Sequence, residues 1–411
     1  MRNTRLFHFV LLIALLALAV GTVSAQSDAT QVVVPAGGSI QIAVVTDLTG
    51  PIAEFGLDIA QAAQVAQAEI NDAGGIQGFP VELTVEDDRC SGDEATTVAN
   101  RVVSNLDIVA VVGHICSGAT VAASDVYEEA RIPMMSPSAT AAGVTERGLS
   151  VMNRVAFRDD IQGVVDAYYM YEVLGVRSIA VLHDNDTYGL GLAEVVRDTF
   201  TELGGEVVAF EGISVDDQDF RSVLTGLVAQ TPEAIFFGGY VQQAVLLVPQ
   251  MGDVGLGDVI FFSDDGVYGE AFLEGAGEAG EGAYASFAET PAGDPERLAN
   301  FDETYEAMFD VAPADLGPFH YHAYDSTMMI FNAIDSVAEV DDAGNLVINR
   351  EALVEALRNT ADYDGLTGVL TCDEKGDCGA GSIAINVVED GEWVEVEVPE
   401  GLVPAEDEEA E

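Results

Sequence analysis

The chain has 411 residues, with 71 acidic and 15 basic side chains and a formal net charge of −56 at pH 7. This charge repels nucleic acid and anionic membrane surfaces, so the composition excludes proteins whose partner is either of them. A chain of this length is too long for one ordinary hydrophobic core, and two lobes are therefore expected.

Residues 1–25 have the pattern of a cleaved secretory signal peptide. Arg2 and Arg5 give it a positive start. Phe7–Val20 forms a short apolar core, and Val23-Ser24-Ala25 offers the small residues of a cleavage site. A membrane anchor is the alternative, but the apolar core is short for one, and no cysteine follows it to carry a lipid. We therefore expect export, with the mature protein periplasmic or secreted.

A first array of alternating strands and helices follows. Apolar runs predict strands at Ile40–Thr46, Val81–Glu86, Ile108–Val112 and Ile132–Met135. Apolar residues at helical spacing predict helices at Phe55–Ile70, Asp93–Leu106 and Ala119–Ala130. Residues 26–37 are interpreted as a polar lead-in. Strands and helices in alternation are typical of a doubly wound parallel sheet, so the predicted fold class is α/β.

A second array begins after Phe157. Its strands are predicted to start near Ser178, Glu206, Ala234 and Val259, with helices at Leu190–Leu203, Phe220–Ala229 and Gln242–Met251 and another strand at Gly282–Ala288. Three more helices are predicted at Pro295–Phe309, Phe319–Val337 and Arg350–Asn359, and strands at Gly368–Thr371, Ser382–Val388 and Trp393–Val398. Residues 399–411 are predicted to be a disordered acidic tail.

Polar and aromatic residues follow the predicted strands at their carboxyl ends, where open α/β sheets bind ligands. In the first array they are Ser117, Ser138 and Thr140, and in the second array Tyr188, Tyr240 and Asp265. The first group stands at two helix starts, whose unpaired N–H groups and dipole attract an anion. The pattern predicts a site for a small carboxylate in a cleft between two lobes, although plain helix capping is the alternative.

Four cysteines in an exported chain favour two disulfides. Cys90 follows one predicted strand and Cys116 the next, while Cys372 and Cys378 flank a turn sequence. A catalytic thiol at Cys116 or a metal site is the alternative, but neither has a His or Cys partner at ligand spacing. Phosphate-loop, dinucleotide, zinc and nucleophile-elbow motifs are not found in the sequence, so no metal or cofactor is expected.

Several segments together resemble a known family. They are Gly113–Glu129, Ser136–Gly148, Leu182–Gly189 with the following Gly191-Leu192-Ala193, Phe237–Tyr240 and Asp373–Asp377. The chain resembles the periplasmic leucine/isoleucine/valine-binding proteins, which are type I solute-binding components of branched-chain amino acid ABC importers. The likeness runs from about Gln41 to Trp393, nearly all of the mature chain.

The resemblance implies a fold and a function. Two doubly wound lobes would be joined by a three-segment hinge, one lobe built from residues 38–157 and 290–381 and the other from 158–289 and 382–398. Such a protein captures aliphatic amino acids between its lobes and delivers them to a membrane permease. It is a monomer, uses no cofactor and is not an enzyme.

The resemblance also assigns roles to residues that would bind the charged end of the ligand. Ser117 and the Thr140 N–H would hold the carboxylate. The Ser138 carbonyl and the Thr140 hydroxyl would accept from the ammonium, with Ala139 between them. Asp265 would be the counter-charge, although the family usually has Glu there and Asp264 stands next to it.

The remaining implied roles concern the ligand's side chain and the cleft. Tyr188 and Tyr240 would close over the ligand from the second lobe. The side-chain pocket would be lined by Phe55, Ile115, Cys116 and Phe319, where Phe55 replaces a larger aromatic with a polar edge. The pairing of Cys90 with Cys116 matches the family's disulfide.

Two other functions are compatible with parts of the pattern. The same fold serves uptake or sensing of amides and aromatic acids, but a ligand without an ammonium group would leave Asp265 unpaired. A hydrolase using Ser117 is the third possibility. It lacks a histidine that pairs with Ser117, since His114 precedes it on the strand and is interpreted as a packed polar residue.

Overall fold

The structure, a computed structural model, describes residues 31–288, 293–379 and 383–403. The predicted signal peptide, most of the predicted acidic tail (404–411) and the predicted lobe boundaries near residues 290 and 381 lie outside these residues. Within these three ranges, no helix is both long and apolar enough to cross a membrane.

Most of the strands belong to two parallel sheets. In chain order they are β1 (Gln31–Val34), β2 (Ile40–Thr46), β3 (Val81–Asp87), β4 (Ile108–Val112), β5 (Met134–Ser136), β6 (Met152–Arg154), β7 (Ser178–His183), β8 (Glu206–Gly212), β9 (Ala234–Gly238), β10 (Ile260–Ser263), β11 (Tyr284–Ala288), β12 (Glu339–Val340), β13 (Leu346–Asn349), β14 (Tyr363–Asp364), β15 (Val369–Leu370), β16 (Ile383–Glu389) and β17 (Glu392–Val396). The first sheet has the order β3-β2-β4-β5-β6 and is parallel throughout. The second has the order β17-β16-β11-β10-β9-β7-β8, in which β7 to β11 are parallel and β16 and β17 are antiparallel.

Helices cover both sheets. They are α1 (Ala53–Asp72), α2 (Gly92–Ser104), α3 (Ser117–Ala130), α4 (Gly143–Glu146), α5 (Asp159–Tyr168), α6 (Thr187–Glu202), α7 (Arg221–Val228), α8 (Val241–Val254), α9 (Glu270–Ala276), α10 (Pro295–Phe309), α11 (His320–Val337) and α12 (Arg350–Arg358). Helices α10 and α11 come late in the chain but pack on α1 of the first array. The predicted α/β fold with two doubly wound parallel sheets is confirmed.

Two predictions about local structure were wrong. Residues 31–34 belong to a strand rather than a polar lead-in, because β1 pairs with β13, a partner more than 300 residues away along the chain. The sequence also gave no helix after Phe157, where α5 runs on into a π-helical turn, Tyr169–Val173. Polar side chains occupy the buried face of α5, so the apolar periodicity that identifies a helix is missing there.

Each sheet reverses its strand order at one place, and this positions the site. The reversal lies between β2 and β4 in the first sheet and between β7 and β9 in the second. Loops that leave neighbouring strands in opposite directions at such a point open a crevice at the carboxyl edge. Gly118 at the first crevice lies against Asp186 at the second, so closely that a Cβ on Gly118 would be 2.6 Å from Asp186 Oδ1. The two crevices therefore face each other across a narrow cleft.

Candidate functional site

A small cavity lies between the two crevices. Its walls are formed by Ile52, Phe55, Ile115, Ser117, Ser138, Thr140, Tyr188, Tyr240, Asp265, Gly266 and Phe319. Nine of the eleven ligand-contacting residues expected from the sequence are in this set. We call this space the cleft cavity.

Two expected residues, Cys116 and Ala139, do not line the cleft cavity. The sulfur of Cys116 is bonded to Cys90, with the two Cα atoms 5.4 Å apart, which draws the side chain toward the loop after β3. Ala139 uses its N–H on Ser136 Oγ at 3.0 Å and its carbonyl on Arg154 at 3.0 Å. Both residues therefore belong to the support of the cavity wall rather than to its surface.

The first array contributes three hydroxyl groups whose surroundings differ from those of helix caps. Helix α3 has no side-chain cap, and Ser117 Oγ instead accepts from the N–H of Ala141 at 3.2 Å. Ser138 Oγ donates to the carbonyl of Ile115 at 3.0 Å, which ties the two loops together. Thr140 Oγ1 is buried and makes no hydrogen bond of good geometry among the described residues, although it lies near enough to the Asp159 carboxyl to lower the pKa of that group. Because a buried polar atom is costly when unpaired, Thr140 is suited to a polar ligand.

The second array contributes a buried carboxylate, Asp265, with a fixed orientation. The Tyr188 hydroxyl donates to Asp265 Oδ1 at 2.7 Å and accepts from the N–H of Gly266 at 3.1 Å. The ring of Tyr240 lies 5.1 Å from that of Tyr188, between ring centroids. Burial raises the pKa of Asp265 to about 6, against the opposing effect of the Tyr188 hydroxyl.

The neighbouring Asp264 has a different environment. Its Oδ2 accepts from the N–H of Gly239 at 3.1 Å and its Oδ1 from that of Gly266 at 3.2 Å. It is fully buried and does not line the cleft cavity. Asp264 thus fixes the backbone at the ends of β9 and β10, and Asp265 is the carboxylate that faces the cavity.

Sequence reasoning missed a group of buried polar residues on α5. The carboxylate oxygens of Asp159 and Asp166 make no hydrogen bond of good geometry within the described residues, although the Thr140 and Ser286 hydroxyls lie near enough to lower the pKa of Asp159 and of Asp166, respectively. Gln162, between them on the same face, donates to Ser286 Oγ at 2.9 Å. Burial, and then the charge of Asp265, raise the pKa of Asp159 well above its usual value. The signal was present as polar residues at i, i+3 and i+7 of a helix whose other face is mostly half-buried.

The apolar part of the cleft cavity is braced from behind. Phe55 and Phe319 face each other with ring centroids 6.4 Å apart, and Phe319 packs edge-on against Phe287 at 5.1 Å. One turn after Phe55, Asp58 Oδ1 accepts from the Tyr305 hydroxyl at 3.1 Å. These contacts hold two aromatic walls at a fixed separation, as an aliphatic side chain requires.

The histidine nearest to Ser117 in sequence is already fully engaged. His114 is completely buried, with Nδ1 2.6 Å from Asp88 Oδ2 and Nε2 3.0 Å from the Tyr127 hydroxyl. Both ring nitrogens are used, so His114 is not available as a base for Ser117. Cys116 is in a disulfide and offers no thiol nucleophile.

Replacing Tyr188 with phenylalanine tests the orientation of Asp265. We expect the dissociation constant of the ligand to rise about tenfold or more, because the Asp265 carboxylate loses the Tyr188 hydroxyl and the Gly266 N–H keeps only one of its two acceptors, Asp264 Oδ1. Isothermal titration calorimetry measures this change. Tyr240→Phe removes a hydroxyl from the adjacent ring and is the matched control, and an equal loss in both variants would contradict the assigned role.

Comparisons with known proteins agree with this geometry. A profile of the periplasmic binding protein family matches residues 39–389. The leucine-, isoleucine-, valine-, threonine- and alanine-binding protein of Pseudomonas aeruginosa is 35% identical over 342 residues, covering 83% of this chain and 88% of that protein. The Leu/Ile/Val-binding protein of Escherichia coli is 32% identical over 345 residues, covering 82% and 88%.

Solved structures show the same similarity. A leucine-binding protein from Thermotoga maritima has a TM-score of 0.77 and 29% identity, covering 87% of this chain and 98% of that one. A branched-chain amino acid transporter substrate-binding protein from Streptococcus pneumoniae, solved with isoleucine, has a TM-score of 0.76 and 29% identity, covering 87% and 100%.

Proposed function

The chain belongs to the periplasmic binding protein family, and from that premise we propose that it captures leucine, isoleucine, valine or a similar aliphatic amino acid in the cleft cavity. One observation carries the proposal. Buried hydroxyl groups beside a helix start and a buried carboxylate lie on one cavity whose remaining wall is largely apolar and aromatic. An α-amino acid with a hydrocarbon side chain matches all three parts.

The charged end of the ligand is held by groups of opposite sign. Its carboxylate accepts from Ser117 and from the Thr140 N–H, at the start of α3, where the helix dipole favours an anion. Its ammonium donates to Asp265, to Thr140 Oγ1 and to the carbonyl of Ser138. A charge-assisted bond to a buried carboxylate is stronger than a neutral one, so Asp265 contributes most of the preference for an amine.

Closure of the two lobes completes the site. Tyr188 and Tyr240 come from the second array and cover the ligand, while Phe55, Ile115 and Phe319 of the first array receive its side chain. A ligand that contacts both lobes binds the closed state better than the open one, and this difference drives closure about the hinge.

The proposed role in the cell is supported by the family and by the predicted signal peptide. The protein is exported to the periplasm or secreted, acts as a monomer without a cofactor, and delivers its ligand to the membrane permease of an ABC importer. It is a carrier and not an enzyme, because the cleft cavity holds the ligand through complementary charges and offers no activated nucleophile.

A thermal-shift screen of the twenty amino acids tests the proposal. At a concentration one hundred times the dissociation constant, a ligand adds about 2.7 kcal/mol to the stability, enough to raise the melting temperature by several degrees. We expect leucine, isoleucine and valine to give this shift. 4-Methylpentanoate and isopentylamine, which each keep one of the two charges of leucine, are the controls and should give none. If no amino acid raises the melting temperature, the ligand class is wrong, and a shift with an amide or a simple acid would favour the alternative uptake function.

A further inference from the structure

Arg154, at the end of β6, shapes the backbone that carries Thr140. Its side chain is completely buried, and its Nη1 donates to the carbonyls of Ala139, Thr140 and Ala141 at 3.0, 2.8 and 2.9 Å. Three consecutive carbonyls that converge on one guanidinium nitrogen leave this segment little freedom. The position of Thr140 in the cleft cavity therefore depends on the orientation of Arg154.

Asp377 sets that orientation. Arg154 Nε donates to Asp377 Oδ1 at 2.6 Å, and Arg158 Nη1 donates to Asp377 Oδ2 at 2.7 Å. The Thr145 hydroxyl donates to Asp377 Oδ2 at 2.9 Å. A buried guanidinium needs a compensating charge, and Asp377 provides it on the side away from the cleft cavity.

A disulfide-closed loop holds Asp377 in place. Cys372 and Cys378 are bonded, and Asp373 Oδ1 accepts from the N–H groups of Lys375, Gly376 and Asp377 at 2.8, 2.8 and 2.9 Å. The loop also pairs with β6, since the N–H of Arg154 donates to the Gly376 carbonyl at 2.8 Å and the N–H of Cys378 to the Arg154 carbonyl at 2.9 Å. Gly376 lies so close to β6 that a Cβ would be 2.3 Å from the carbonyl oxygen of Met152.

We propose that the Cys372–Cys378 loop is a positioning element of the ligand site, which acts through Asp377 and Arg154 on the backbone of residues 139–141. Neither Asp377 nor Arg154 lines the cleft cavity, so their effect on affinity is indirect. The inference rests on the proposed function only in that Thr140 binds the ligand, and the route from the loop to Thr140 can be tested without a ligand.

Asp377→Asn is the direct test. The amide removes the charge and can turn an NH₂ group toward Arg154 Nε, so two donors face each other. We expect the dissociation constant for leucine to rise about tenfold or more in calorimetry, and Asp377→Glu to recover part of the loss. The matched control is Lys375→Gln, which breaks the 2.7 Å pair of the same loop with Glu146 without touching Arg154. Its affinity should stay within about twofold of wild type.

Hydrogen exchange gives a readout that needs no ligand. The N–H groups of Ala139 and Ala141 are bonded to Ser136 Oγ and Ser117 Oγ, and their exchange should become faster in Asp377→Asn but not in Lys375→Gln. If the wild-type protein binds no amino acid, the proposed function fails, and exchange alone decides the positioning role.

Several outcomes would overturn the proposal. The first is that Asp377→Asn binds leucine with wild-type affinity, whatever its melting temperature or its rate of hydrogen exchange. The second is that Asp377→Asn and Lys375→Gln lose affinity equally. If Asp377→Asn does not fold, the double variant Cys372→Ser/Cys378→Ser replaces it. Weaker leucine binding with faster exchange in residues 139–141 supports the proposal there, and unchanged binding and exchange overturn it.

Discussion

Asp265→Asn is expected to abolish the stabilisation by leucine and, at the same time, to raise the melting temperature of the ligand-free protein. The two effects have opposite signs because the buried carboxylate destabilises the ligand-free fold, whereas in the complex it forms the main contact with the ligand's ammonium group. Burial raises the pKa of Asp265 from 3.8 to about 6, so at pH 7 the charged form costs the ligand-free fold on the order of 2–3 kcal/mol. The neutral amide avoids that cost.

The loss of binding follows from the same burial. Removing one member of a desolvated charge pair costs about 2–5 kcal/mol, which corresponds to an affinity about 30 to several thousand times weaker. Calorimetry with leucine and a melting curve of the ligand-free variant measure the two effects separately. A variant that both binds poorly and melts earlier would mean that Asp265 serves the fold and not the ligand.

Asp264→Asn is the control for this experiment. Asp264 is equally buried but accepts from the N–H groups of Gly239 and Gly266, and an asparagine carbonyl can keep one of these bonds. We expect this variant to lose some stability and to retain leucine binding. If Asp264→Asn instead loses binding while Asp265→Asn keeps it, the counter-charge is Asp264.

Much of the site could be predicted because its residues follow strands. Ser117, Tyr188, Tyr240 and Asp265 each stand two to five residues after the end of a strand, and parallel strands bring such positions to one edge. The strand order decides which edges face each other, and the alternation of strand and helix restricts that order to a few arrangements. Local sequence was therefore sufficient to assemble both crevices.

The parts that were missed depend on contacts between distant segments. Asp159 lies on a helix that carries acidic residues on its buried face. In the sequence such a pattern indicates a solvent-exposed face, and only the folded structure shows that Asp159 lies near Asp265. Arg154 and Asp377 are 223 residues apart, and nothing in either neighbourhood marks them as a pair. The placement of Cys116 and Ala139 outside the cavity lining has the same origin, because the bond to Cys90 and the Arg154 contacts decide where these two residues point.

Asp159 changes how the charge of the site is understood. The pKa of Asp159 is raised well above its usual value, first by burial and then by the charge of Asp265. Ionisation of both carboxyls at once is therefore disfavoured, so the negative charge that the site presents to an ammonium is smaller than the number of its carboxyl groups suggests.

Leucine is expected to bind about ten times more tightly at pH 7 than at pH 5. Five groups face Asp265. Hydrogen bonds from Tyr188 and Gln162 favour the charged form of Asp265. The charge of Asp265 in turn raises the pKa values of the three neighbouring carboxyls, Asp159, Asp264 and Asp166. With a pKa of about 6, Asp265 is mostly neutral at pH 5 and mostly charged at pH 7. An ammonium binds the charged form, so binding at pH 6 releases protons.

The stability of the ligand-free protein has the opposite dependence. Between the unfolded value of 3.8 and the folded value of about 6, the folded state holds the Asp265 proton more firmly, so the stability falls as the pH rises through that window. The ligand-induced shift in melting temperature should therefore grow from pH 5 to pH 7 while the ligand-free melting temperature falls. Calorimetry at pH 6 in two buffers of different ionisation enthalpy detects the released proton directly. Affinity that is constant over this range, or proton uptake on binding, would contradict the role of Asp265 as the titrating counter-charge.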